Sequence, residues 1–180
     1  MILVVQKQFD KLELQRKHLL TEAAKLRAEQ LIFRPTPESW CILEVFDHLM
    51  TAERNGLKYM RKKFLGIDKI PKANMMARFR STILTTALSL PIKYKAPPAA
   101  AIARREYYDF DEMALEWDSI RQEWKEFLDQ FDAPSAKKLV FKHPLAGMLT
   151  VTQAIGFIQQ HVKHHIPQIA RIKAHPDFPK

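Results

Sequence analysis

Three imidazoles fall within five residues near the C-terminus, in the stretch Gly156–Ile172, GFIQQHVKHHIPQIARI. His161 and His165 are four apart, so on an α-helix they lie on one face, and Gln168 continues almost the same line. A four-residue step misaligns two side chains by about 40° of rotation, whereas the three-residue step to His164 misaligns by about 60°. Two helical histidines can chelate a metal ion, but a site that does chemistry generally takes a third protein ligand from elsewhere in the chain. The candidate is His48, inside the apolar pattern SWCILEVFDHLM. Taken by spacing alone, the simpler account is a core histidine at 48 and an exposed basic face at 161 and 165.

The elements that must position these residues are helical. The chain has 180 residues, 47% of them hydrophobic and only 4 of them Gly, a composition that supports a packed core and argues against disorder. Apolar residues recur every three or four positions, which points to one all-α domain spanning residues 1–180. A first helix is expected from about Val4 to Gln30, with Leu12, Leu19, Ala23 and Leu26 inward and His18 at the surface. Pro35 and Pro37 end it. A second begins around Ser39–Ile42 and runs to about Leu65, with Ile42, Val45, Leu49 and Ala52 inward and His48 at the same stripe. Ser39 is its expected cap, because the alternative box Cys41-x-x-Glu44 uses a poor capping side chain. Glu44 is one turn before His48; a helix-start charge accounts for it more simply than a partner for the imidazole.

Residues 66–108 are irregular and read as a long crossover. It carries a further helix within Asn74–Leu90 closed by Pro91, then Pro97 and Pro98, and Met75, Met76, Phe79, Tyr107 and Tyr108 as candidate pocket residues. A third bundle helix is expected from Asp111 to Phe131, capped by Asp109 or Asp111 and lined by Met113, Trp117, Ile120, Trp124, Phe127 and Leu128. FKHPLAGMLT, residues 141–150, reads as a loop holding His143. Thr150-x-x-Gln153 is a capping box, so a fourth helix starts there and continues to about Ala174. Its inner stripe is Val151, Ile155, Ile158, Val162, His165, Ile169 and Ile172, so His165 stands where an apolar residue is expected. Pro167 frees the carbonyl of Lys163 and implies a local bend. His175 reads as part of a fraying terminus.

Lys and Arg number 29 against 20 Asp and Glu, a net charge of +9. The basic residues are scattered, with small groups at Arg61–Lys63, Arg104–Arg105 and Lys137–Lys138, and no nucleic-acid motif accompanies them. Solvated helix faces account for them, and nucleic acid is not an expected partner. No run approaches the roughly 18 apolar residues of a membrane span. The N-terminus lacks a signal-peptide pattern, and the one cysteine, Cys41, fits a reducing compartment, so a cytoplasmic location is expected.

Two segments carry a family resemblance. Ser39-Trp40-Cys41-Ile42-Leu43-Glu44 with Asp47-His48-Leu49, and Phe141-Lys142-His143-Pro144 with Gly147 leading into His161 through Ile169, resemble the DinB-like superfamily, which includes the YfiT-type metal-binding proteins. The resemblance spans roughly residues 35–175. It implies a four-helix bundle with up-down-down-up connection and a long crossover between the second and third helices. It also implies a triad of His48, His161 and His165 around a divalent metal, Zn or Ni, with His164 turned outward. Where many relatives carry Ser after the Trp, this chain has Cys41. By family habit the chain forms a homodimer and acts on a small molecule, either joining a low-molecular-weight thiol to an electrophile or catalysing a hydrolysis. The alternative is a non-catalytic metal-binding stress protein or a basic nucleic-acid-associated module.

Overall fold

A computed structural model describes residues 1–73, 105–143 and 146–180. The expected helix within Asn74–Leu90, together with Pro91, Pro97, Pro98, Met75, Met76, Phe79 and Pro144, lies outside the described residues. The described elements are α1 (Leu3–Ala23), α2 (Ala28–Leu31), α3 (Ile42–Phe64), α4 (Phe110–Leu128), β1 (Phe141–His143), β2 (Gly147–Leu149) and α5 (Val151–Lys173), with single 3-10 turns at Ile67–Lys69 and Ser135–Lys137.

Polar contacts between helices fix their directions. Along α3 and α4, Arg54 pairs with Glu116 and Arg61 with Glu123, seven residues further on in both, so these helices run parallel. Between α1 and α4 the partners run in opposite order. The Met1 amino group meets Asp129 at 3.2 Å, Glu13 meets Arg121 at 3.3 Å, and Arg16 meets Asp118. Gln8 accepts from Gln159 of α5, and Gln30 donates to the Pro179 carbonyl, so the α1 side and the C-terminal segment run together. The bundle is therefore up-down-down-up, with the long connection between its second and third helices, α3 and α4.

The long helices α1, α4 and α5 each bury one stripe, and α3 is buried all round over its first nine residues, 42–50. Val5, Phe9, Leu12 and Leu19 of α1 meet Met113, Trp117, Ile120 and Trp124 of α4 and Ile155, Ile158 and Val162 of α5 in one core. Each large side chain taken fully out of water contributes roughly 1.5–3 kcal/mol, which is how helices of ordinary propensity are held. One buried charge cluster interrupts this core. Glu53 of α3 accepts from Arg121 Nη2 at 2.8 Å and from Trp117 Nε1 at 3.2 Å, which ties α3 to α4.

The first helix is shorter than its periodicity suggests. It stops at Ala23, and a second N-cap follows at Arg27, whose backbone N–H donates to Gln30 Oε1 at 2.9 Å. Leu31 is five residues after Leu26, about 140° off the stripe of a continuous helix. The break returns it to the core, where it is buried. α3 is capped by Cys41 and not by Ser39. α4 takes Asp109 as its cap, accepting from the Glu112 N–H at 2.9 Å. In place of the expected plain loop, β1 and β2 form an antiparallel pair: Phe141 pairs with Leu149, Lys142 with Met148 and His143 with Gly147. Gly147, the first residue of β2, has φ 71°, where a side chain is strained, so this position favours glycine. The C-terminus is docked, with His175 and Phe178 both packed on Phe33.

Candidate metal centre

His48 reaches the site because α3 is started firmly. Cys41 Sγ accepts the Glu44 N–H at 3.4 Å, and Glu44 Oε2 accepts the Cys41 N–H at 2.7 Å. Arg34 then holds the same carboxylate through two bonds of 3.0 Å. Burial pushes the Glu44 pKa up, but the bonds from Arg34 and Cys41 outweigh it and leave it below the ordinary value. Glu44 is thus a cap, as the simpler account expects, and it is also an ion-pair partner of Arg34.

On α5 the capping box forms as expected: Thr150 Oγ1 accepts the Gln153 N–H at 3.3 Å, and Gln153 Oε1 accepts the Thr150 N–H at 2.9 Å. The helix then continues through Pro167 to Lys173. This places His161 and His165 opposite His48. The Nε2 atoms of His48 and His161 are 3.0 Å apart, and those of His161 and His165 are 3.2 Å apart. One nitrogen from each of the three rings lies within 4.8 Å of the others. The three histidines that the family resemblance groups are brought together.

The surroundings fix the rings. Trp40 lies with its centroid 5.0 Å from that of His48 and 6.3 Å from that of His165, the second nearly parallel at 19°. Phe157 stacks on His161 at 5.8 Å and 7°. Gln168 Oε1 is 2.8 Å from His165 Nδ1. Burial, followed by the charge of His165, lowers the His48 pKa to about 4. Burial and then His165 and His48 lower that of His161. Burial also lowers that of His165, against the bond from Gln168. Burial thus favours the neutral form of all three rings, the state in which imidazole nitrogen donates to a metal. Three converging neutral donors fit a divalent ion and leave further coordination positions for other ligands.

Other residues depart from the sequence reading. His143 is buried in β1, accepts the Ala146 N–H at Nδ1 (3.1 Å) and meets the Phe157 ring edge-on at 4.4 Å. Arg105 is no free surface cation: it donates to Asp47 Oδ1, the neighbour of His48, and to Glu116 Oε2 at 2.9 Å. Of the crossover aromatics that are described, Tyr108 is half-buried, its hydroxyl accepting the Arg105 N–H at 3.2 Å, while Tyr107 is exposed. No signal short of the fold marks Phe157, which falls between the apolar positions counted on α5.

Comparison with known proteins now decides the family. The model of the DinB superfamily matches residues 11–169. The chain belongs to the DinB superfamily. YuaE of Bacillus subtilis strain 168, an uncharacterized protein, is 28% identical over 152 residues, 84% of this chain and 88% of YuaE. YfiT from Bacillus subtilis, described as a probable metal-dependent hydrolase with an unusual four-helix bundle topology, superposes with a TM-score of 0.57 at 15% identity, covering 97% of this chain and 89% of YfiT. At that identity the likeness shows the fold and not the activity. No helix among the described residues is long and apolar enough to cross a membrane.

Proposed function

We propose that this DinB-superfamily protein is a metal-dependent enzyme of hydrolase or thiol-transferase type, acting on a small molecule. Nε2 of His48, His161 and His165 would hold a divalent ion, Zn or Ni. The convergence of three buried imidazole nitrogens within 4.8 Å carries this reading, because ring stacking alone gives no reason for all three to face one another. A divalent ion there would supply Lewis acidity, enough to make a water or a small thiol nucleophilic at neutral pH.

The chain's own residues narrow the chemistry. Cys41 does not supply the thiol: burial pushes its pKa up to about 11, and its sulfur caps α3. Glu44 is committed to Cys41 and Arg34, so it is not placed to take a proton from a nucleophile. With Cys41 and Glu44 both engaged at the start of α3, the nucleophile in this reading comes with the substrate or from solvent. Trp40 and Phe157 hold the rings and keep water from their buried faces.

The test is the metal content of untagged protein, wild type beside His48→Ala and His165→Ala. About one Zn or Ni per chain, lost in both variants, is expected, followed by metal-dependent turnover in a panel of hydrolysis and thiol-transfer reactions. Wild-type protein that carries no metal and takes up neither ion overturns the proposal.

A further inference from the structure

A neutral imidazole has one protonated nitrogen and one lone-pair nitrogen. His165 can offer Nε2 to the cluster only when its proton sits on Nδ1. Gln168 Oε1 lies 2.8 Å from that Nδ1, and the three-residue step along α5 places the amide beside the ring's outer edge. We infer that Gln168 is a positioning residue: its carbonyl accepts Nδ1–H, selects that tautomer and leaves Nε2 as a donor towards His161 and His48. The hydrogen bond stands on its own geometry, and its consequence for metal affinity rests on the metal reading above.

The alternative orientation is informative. An amide turned to present its NH2 would donate to the Nδ1 lone pair and force the proton onto Nε2. That proton would point at His161 Nε2, 3.2 Å away, and the ring could no longer join His48 and His161 as a ligand. Trp40, nearly parallel to His165 at 19°, sets the plane of the ring. The plane alone does not say which nitrogen faces inward with a lone pair; the acceptor at the outer edge does. Gln168 and Trp40 also line an open cleft of about 310 Å³, so water reaches the amide from outside. Alanine at 168 would let a water take the carbonyl's place. Leucine fills the space and removes the acceptor, and glutamate keeps an acceptor.

The experiment reads the tautomer directly, by long-range nitrogen–proton correlation spectra of the histidine rings at neutral pH in metal-free protein. Wild type and Gln168→Glu are expected to show His165 protonated at Nδ1, and Gln168→Leu to shift towards Nε2–H with an unchanged helical signal. Zinc affinity, measured against a chelator, is expected to fall about 10- to 100-fold in Gln168→Leu and to be restored in Gln168→Glu. His165 remaining wholly Nδ1–H in Gln168→Leu, or zinc affinity there within twofold of wild type, overturns the inference. A tautomer that shifts as expected in a protein that takes up no zinc supports the positioning role and removes the metal reading instead.

Discussion

His48 Nε2 stands 3.0 Å from His161 Nε2, although 113 positions separate the two residues in the chain. The contact joins the second and last helices of the bundle, so an ion held there links them. Anything that binds the folded state alone stabilises it by mass action. Zinc at a hundred times its dissociation constant adds about 2.7 kcal/mol, or roughly 5–10 °C in Tm for a chain this size. Chelator-treated protein is expected to melt lower by that amount and to recover on adding Zn. His48→Ala is expected to melt at one temperature with or without the ion. Differential scanning calorimetry checks this, and equal shifts in both proteins would place the ion elsewhere.

Glu44 gives the α3 start a pH dependence. Burial raises its pKa, but Arg34 and the Cys41 N–H hold it below the ordinary 4.5. A carboxylate depressed in the folded state stabilises fully above its unfolded pKa and loses that contribution as pH falls through the folded one. Glu44→Gln keeps the capping geometry and removes the charge. The variant is expected to lose about 1–3 kcal/mol at pH 7, with the gap narrowing below pH 4.5. Urea titrations at pH 7 and pH 4 decide it; a gap that does not change with pH would mean that the charge contributes nothing.

Long amphipathic elements were legible in the sequence because many residues report on each. Thr150 and Gln153 mark the start of α5 unambiguously, since both halves of the box are good capping groups. A thiol alone is a poor acceptor, so Cys41 does not read as a cap in sequence; the Cys41 N–H bond to the Glu44 carboxylate and the Arg34 pair complete it. The break after Ala23 has neither Gly nor Pro to announce it, and only the phase of Leu31 hints at it. Three-residue strands carry too little alternation to be read, so neither the strand pair nor the burial of His143 is legible in sequence. Arg105 looked like a solvated cation because Asp47, its partner, lies 58 positions away. The pairing of His48 with the C-terminal histidines came from family resemblance, since spacing says nothing about contacts between distant helices.

The start of β2 favours glycine at Gly147. Its φ of 71° is open to glycine and costs other residues on the order of 1 kcal/mol or more. Gly147→Ala is expected to destabilise by about 1–2 kcal/mol, without changing helical content. Because β1 carries His143 against Phe157, which stacks on His161, the phenylalanine ring resonances should shift as well. Equal stability of the two proteins in urea would show that the backbone at this position relaxes freely.

The Glu53–Arg121 pair offers the largest expected loss. Both side chains are almost wholly buried, at 1% and 3% exposure, where breaking a pair costs more than the pair itself contributes. Among the described residues Arg121→Met leaves Glu53 with the Trp117 N–H as its one hydrogen bond, so a loss of about 3–5 kcal/mol is expected at pH 7. Burial already raises the Glu53 pKa against the pull of Arg121, and removing Arg121 raises it further. A carboxyl whose folded pKa lies above its unfolded value loses stability as pH rises from the unfolded pKa to the folded one. The variant should therefore be more stable at pH 5 than at pH 7. Glu53→Gln combined with Arg121→Met removes the buried charge, keeps an acceptor for Trp117, and should recover most of the loss. Urea unfolding of both variants at the two pH values measures this. A double variant no better than Arg121→Met would mean that the loss comes from packing around the arginine stem and not from an uncompensated charge.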